Sequence, residues 1–92
     1  MIRSFRSSAL KRFWVSGDTS EIAKEWHRKI EMRLDRLNAA EKPSDMKLPG
    51  FGFHALKGPS KGRYAVKVSA NYLITFAWDD KDAVDVHLED YH

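Results

Sequence analysis

Apolar residues recur along this chain with two different periods, and the change falls at Gly50. Before it the spacing is helical. Leu10, Phe13 and Trp14 follow Ser7 and Ser8, either of which can cap a helix, and Gly17 supplies the stop. Ile22, Trp26, Ile30, Leu34 and Leu37 then step by four, four, four and three. That stripe predicts a helix over Thr19–Ala40, opened by an Asp18/Glu21 capping box, with Lys24, Arg28, Lys29, Arg33 and Arg36 on its outer face. Met1–Phe5 reads as a short edge strand, and Pro43 as the first position of a helical turn near Ser44–Met46. After Gly50 the period is two. Phe51, Phe53 and Ala55 alternate with Gly52, His54 and Leu56, and Tyr64, Val66 and Val68 with Arg63, Ala65 and Lys67. Tyr72–Trp78 is a strongly apolar strand. Val84, Val86 and Leu88 face one way in the last strand, and Asp85, His87 and Glu89 the other. Ser69-Ala70-Asn71, whose Asn tolerates left-handed geometry, and Asp79–Asp82 make the turns. Helices followed by an antiparallel meander predict an α+β domain, with the helices packed on one sheet face.

Composition narrows the class. Ninety-two residues suit one domain, taken as 1–92, which buries only about 60–65% of the surface its unfolded chain exposes. Hydrophobic residues at 42% and charged residues at 32% fit a globular chain rather than a disordered one. The absence of Cys excludes disulfides, thiolate metal sites and a Cys nucleophile. No apolar run is long enough for a membrane span or a signal peptide, so a cytoplasmic protein is expected. The net charge of +3 hides an asymmetry. Residues 1–67 hold 15 Lys/Arg against 7 Asp/Glu, whereas residues 68–92 hold one Lys against six acids. A basic body with a separate acidic segment points to a polyanionic partner as readily as to ordinary solubility.

Few residues carry candidate chemistry. His27, His54, His87 and His92 show no metal-ligand spacing, and no cofactor motif is present. Gly58-Pro-Ser-Lys-Gly62 is too short for a phosphate loop and reads as a hairpin loop, from which Lys61 can still reach a backbone phosphate. His54 has the polar parity of its strand. With Lys57, Arg63 and Lys67 it would form a basic, solvent-open sheet face, which antiparallel sheets commonly have for no functional reason. Asp90-Tyr91-His92 puts an acid, a phenol and an imidazole at the end of the chain, where composition alone suggests a frayed tail.

In order and spacing, these segments resemble the HigB-type toxins of the RelE/ParE superfamily. The resemblance runs from Ile2-Arg3-Ser4-Phe5 and Leu10-Lys11-Arg12-Phe13 through Met46-Lys47-Leu48-Pro49-Gly50-Phe51, His54-Ala55-Leu56-Lys57-Gly58 and Lys61-Gly62-Arg63-Tyr64. It continues through Asn71, Ile74-Thr75-Phe76 and Asp82-Ala83-Val84-Asp85-Val86 to Glu89-Asp90-Tyr91-His92. The Leu-Pro-Gly-Phe…His-x-Leu-Lys-Gly pair and the terminal Asp-Tyr-His are its specific parts.

The resemblance implies the compact RelE-like fold and a ribosome-dependent mRNA endonuclease that needs no metal. Its partners would be a helix-turn-helix antitoxin of the HigA type, in a hetero-oligomer, and the small ribosomal subunit with its mRNA and rRNA. The free toxin would be a monomer, without a membrane partner. The implied reaction is attack of a ribose 2′-oxygen on the adjacent phosphate, which needs a base, an acid and a cation. His54, Lys57, Asp90, Tyr91 and His92 are the implied catalytic residues. His54 and His92 share the acid and base roles, and the chain's own carboxylate on His92 favours the acid role there. Lys57 clamps the phosphate, Asp90 orients a His or acts as base, and Tyr91 stacks or positions. Arg3, Arg6, Lys11, Arg12, Lys61, Arg63, Lys67 and Asn71 are the implied RNA and ribosome contacts. The chain departs from the pattern at Leu73, where many relatives carry Arg, and at Ala77, where they carry a larger or charged residue. Two alternatives stand beside this expectation. One is a ParE-like toxin that binds gyrase without cutting RNA, against which Lys57 and Asp90-Tyr91-His92 argue. The other is an inactive member that only binds its antitoxin.

Overall fold

Ser7 and Gly17 bracket the first helix as their residue types predict. The Ser7 hydroxyl accepts from the Leu10 amide at 3.2 Å, and α1 (Ser8–Lys11) widens into a π-type turn over Arg12–Ser16. Gly17 closes it at φ +69°, in the left-handed region that costs glycine nothing. The computed structural model describes Met1–Asp90.

The long helix starts later than its apolar stripe predicts. A 3-10 turn over Lys24–Trp26 leads into α2 (His27–Ala39). The expected capping box is not made, because its two acids are engaged elsewhere. The Asp18 carboxylate accepts from the amide and hydroxyl of Ser20, which hold it below the usual carboxylate range, and Glu21 pairs with Arg12. Ile22 is still buried, from a turn instead of a helix, and His27 donates from Nε2 to the Ile22 carbonyl at 2.6 Å. A second difference concerns the outer face of α2: Arg33 is only 8% exposed and turns inward.

The sheet is a four-stranded antiparallel meander in the order β1 (His54–Ala55), β2 (Arg63–Lys67), β3 (Tyr72–Asp79) and β4 (Asp82–Asp90). β1 is shorter than the alternation from Phe51 to Leu56 predicts, since the chain bends at Gly52 (φ +56°). The expected N-terminal edge strand appears as two parallel bridges onto β4, Ile2 to Ala83 and Phe5 to Val86. Ile30, Leu34 and Leu37 of α2 pack with Leu10 against Val66, Ile74, Phe76 and Val86 on one sheet face. Burial of such side chains supplies the main drive to fold, about 25 cal/mol per Å² of apolar surface. Rings of Phe53, Tyr64 and Phe76 stack across the same face, and Trp78 meets Phe76 edge-on. This is the α+β arrangement that the sequence pattern predicts. No helix among the described residues is long and apolar enough to cross a membrane.

Two local corrections shape the other face. Asp85 adopts φ +51° in a bulge where the β3–β4 register shifts, so Ala83 and Val86 are both buried and Val84 leaves the face it was expected to share with Val86. The Ser69–Asn71 turn is held by the Ser69 hydroxyl, which accepts from the amides of Asn71 and Tyr72; Asn71 itself is not left-handed.

Candidate functional site on the open sheet face

With the helices on one face, strand alternation sends the remaining side chains to the other. Register places His54 of β1, Arg63, Ala65 and Lys67 of β2, Leu73, Thr75 and Ala77 of β3, and Val84, His87 and Glu89 of β4 on this open face. At the β1 end is a cavity of about 340 Å³, lined by His54, Leu56, Lys67, Ala70 and Leu73. That volume lies in the range of small-ligand sites and suits a nucleotide unit.

His54 enters this groove with its ring oriented. Its Nδ1 lies 2.9 Å from the Gly52 carbonyl, an acceptor, so Nδ1 carries the proton. In the neutral ring Nε2 is then left as the basic nitrogen. Lys67 is supported from below. Its amide donates to the Phe51 carbonyl at 2.7 Å, and its aliphatic stem lies against Gly52. A Cβ built on Gly52 would meet the stem at 3.1 Å from Cδ, so a side chain there would disturb both Lys67 and the carbonyl that holds His54.

A second cluster occupies the middle of the face. Arg63 donates to the Thr75 hydroxyl at 3.0 Å and to the Asp85 carbonyl, which the bulge presents, at 2.7 Å. Thr75 donates onward to Glu89 at 2.5 Å. Burial lowers the Arg63 pKa from its ordinary value and the charge of Arg6 lowers it further, while Glu89 and Asp85 oppose both. Thr75 is fully buried beneath Arg63 and Glu89. Replacing it with Val keeps the shape and leaves those two charged groups each one partner short. We expect a loss of about 1–3 kcal/mol in urea unfolding; unchanged stability would mean that water already serves both groups.

The open face gathers several of the residues the sequence singles out. His54, Arg63 and Lys67 share it, Arg6 is near enough to Arg63 to act on its charge, and exposed Asn71 follows the groove residue Ala70. The two departures noted at Leu73 and Ala77 lie directly across from Lys67 and Arg63, so each position has a cation on the neighbouring strand. Lys57 is exposed just before Gly58 and does not line the groove. Arg3 pairs with Asp79 and Asp82, and Arg12 with Glu21. Lys11 and Lys61 are exposed, on α1 and in the β1–β2 connection. Asp90, opposite Tyr72, falls on the parity opposite to Glu89. Tyr91 and His92 lie outside the described residues.

Sequence reasoning missed Glu89 and His87. His87 faces Thr75 across the strands, and its Nδ1 is buried without a hydrogen-bond partner among the described residues. The signal was their alternation beside Asp85, obscured by the bulge. Among the described residues no group of three or more His, Asp or Glu could hold a metal.

Comparison with known proteins agrees with this architecture. Residues 3–92 match the RelE-like toxins of type II toxin–antitoxin system HigB. The chain is 33% identical to an endoribonuclease HigB of Proteus vulgaris over the whole of both chains. It is also 33% identical to the toxin HigB-1 of Vibrio cholerae, over 97% of this chain and 96% of that one. Among solved structures, YafQ of Escherichia coli superposes with a TM-score of 0.65 at 13% identity, covering 98% of this chain and 93% of YafQ. The protein HP0894 of Helicobacter pylori gives 0.54 at 14% identity, covering 98% and 94%.

Proposed function

This chain belongs to the RelE-like HigB toxins of type II toxin–antitoxin systems, and from that premise we propose that it is an mRNA endonuclease acting on the translating ribosome. Membership of a type II system gives it an antitoxin as partner; we assign that antitoxin to the helix-turn-helix HigA type. The name of the Proteus vulgaris relative supports the endoribonuclease activity. The observation that carries the reading in this molecule is His54, its Nδ1 2.9 Å from the Gly52 carbonyl, lining a groove that also contains Lys67.

We assign the reaction to these side chains, with no step through a metal. Nε2 of His54 takes the proton of a ribose 2′-hydroxyl. The 2′-oxygen then bonds to the adjacent phosphorus, charge grows on the phosphorane oxygens, and the bond to the 5′-oxygen breaks. The products are a 2′,3′-cyclic phosphate and a 5′-hydroxyl. A cation beside the phosphorane lowers the barrier because its attraction grows as the charge does. Lys67 stands in the groove for that task, with Lys57 at the strand end as the second cation. We assign protonation of the leaving oxygen to His92 and stacking or positioning to Tyr91; Asp90, on the parity of β4 opposite to the open face, is given no contact with the substrate. The groove walls Leu56, Ala70 and Leu73 are apolar and receive a base or ribose face.

The test is translation in vitro with purified ribosomes, read by primer extension. Cuts confined to ribosome-bound mRNA support the reading. Equal cutting of free RNA removes the ribosome from the mechanism, and gyrase trapped on DNA without any RNA cut replaces the nuclease with a gyrase poison. Binding should also depend on salt, because exposed Arg6, Lys11, Arg28, Arg36 and Lys61 would displace counterions from rRNA. Cosedimentation with ribosomes should show affinity falling by about tenfold for each doubling of salt, as expected for several phosphate contacts. A flat profile would reduce these cations to a solubility role.

A further inference from the structure

Arg33 is a buried cation. Among the described residues no carboxylate pairs with it, and burial lowers its pKa from the ordinary value. Such a charge is costly unless dipoles replace its water. Here they do: Nε donates to the Lys67 carbonyl at 2.5 Å, Nη1 to the Lys29 carbonyl of its own helix at 3.2 Å, and Nη2 to the Gly50 carbonyl at 3.4 Å. The guanidinium also lies over the Phe51 ring, 4.5 Å from its centroid.

These contacts converge on one loop. Lys67 and Gly50 are the two backbone points that Arg33 ties to α2. Between them the Lys67 amide holds Phe51, the Lys67 stem lies against Gly52, and the Gly52 carbonyl holds His54. An apolar residue at position 33 would fill the same space, but it could not fix two carbonyls from different segments. A planar fork of donors can.

We propose that Arg33 is the positioning residue of the site: it clamps the Gly50–Gly52 segment to the end of β2, so that the Gly52 carbonyl fixes the His54 ring as the Nδ1–H tautomer with Nε2 bare over the groove. The catalytic part of this assignment rests on the nuclease reading; the clamp itself does not.

The test uses the full chain and ¹⁵N-labelled histidine. In the parent protein, nuclear magnetic resonance at a pH where His54 is neutral should find its proton on Nδ1. In Arg33→Met the proton should move largely to Nε2, the form that free imidazole side chains prefer in water. Arg33→Lys, which keeps the charge and loses the fork, should lie between. Single-turnover cleavage at saturating toxin should fall by about 10²-fold in Arg33→Met, the scale of a slightly misplaced reacting group, with ribosome affinity little changed. A parent His54 with its proton on Nε2 overturns the clamp. So does an Arg33→Met protein that retains the Nδ1–H form. Failure of both variants to fold would make Arg33 a residue of the core and equally overturn the assignment. A chain whose tautomer responds as expected but which cuts no RNA sustains the clamp and rejects the nuclease.

Discussion

His54→Gln should cut ribosome-bound mRNA about 10²–10⁴-fold more slowly than the parent, the range for losing one positioned acid–base group. Gln can occupy the groove and still donate to the Gly52 carbonyl, but it has no nitrogen that takes a proton. The loss therefore isolates proton transfer from shape. His54 is exposed and its strand is only His54–Ala55, so the substitution removes little packing and the thermal midpoint should hardly move. Single-turnover cleavage at saturating toxin separates the chemical step from binding. A His54→Gln protein that cuts at the parent rate would transfer the base role to another group on this face. His87 is then the first to examine, for its buried Nδ1, which has no hydrogen-bond partner among the described residues.

Lys67→Met should slow the same step by about 10²–10³-fold, as when one electrostatic stabiliser is removed from a developing charge. Met keeps most of the stem that lies against Gly52 and deletes the ammonium, so His54 should stay in place. The informative comparison is Lys57→Ala. Lys57 has the family's sequence context, but its side chain is exposed beyond the groove lining, whereas Lys67 is part of that lining. A preorganised cation does not have to be ordered at the moment of reaction, which is why Lys67 is expected to count for more. If Lys57→Ala proves the more damaging at saturating toxin, the substrate phosphate lies at the strand end, and the groove holds a base instead. Equal, small effects in both proteins would spread the charge over Arg6 and Arg63 and remove the single clamp.

The period change at Gly50 was enough to place helices before strands, because a buried face imposes 3.6 on a helix and two on a strand whatever the residues are. Local chemistry settled the ends of α1 for the same reason: a hydroxyl at Ser7 and a Cβ-free residue at Gly17 meet needs that arise within one turn. The alternation through His54, Arg63 and Lys67 already put three of the groove and face residues on one side.

What the sequence pattern could not decide depended on partners that the periodicity of an element does not report, most of them distant in the chain. Arg33 has the spacing of a solvated helix residue, and only the approach of the Lys67 and Gly50 carbonyls turns it inward. Asp18 and Glu21 spell a capping box, yet Ser20 and Arg12 compete for the same oxygens and delay the helix to Lys24. The Asp85 bulge inverts the parity of half of β4 for a reason that lies 81 residues away, where the Ser4 hydroxyl accepts the Asp85 amide at 2.8 Å. That same bulge aims a carbonyl at Arg63 and so completes the Arg63–Thr75–Glu89 chain. Periodicity reports which face a residue would take if its element were regular. Where a carbonyl, a carboxylate or a hydroxyl from elsewhere offers a better partner, the chain departs from regularity, and in this protein several of those departures surround the groove.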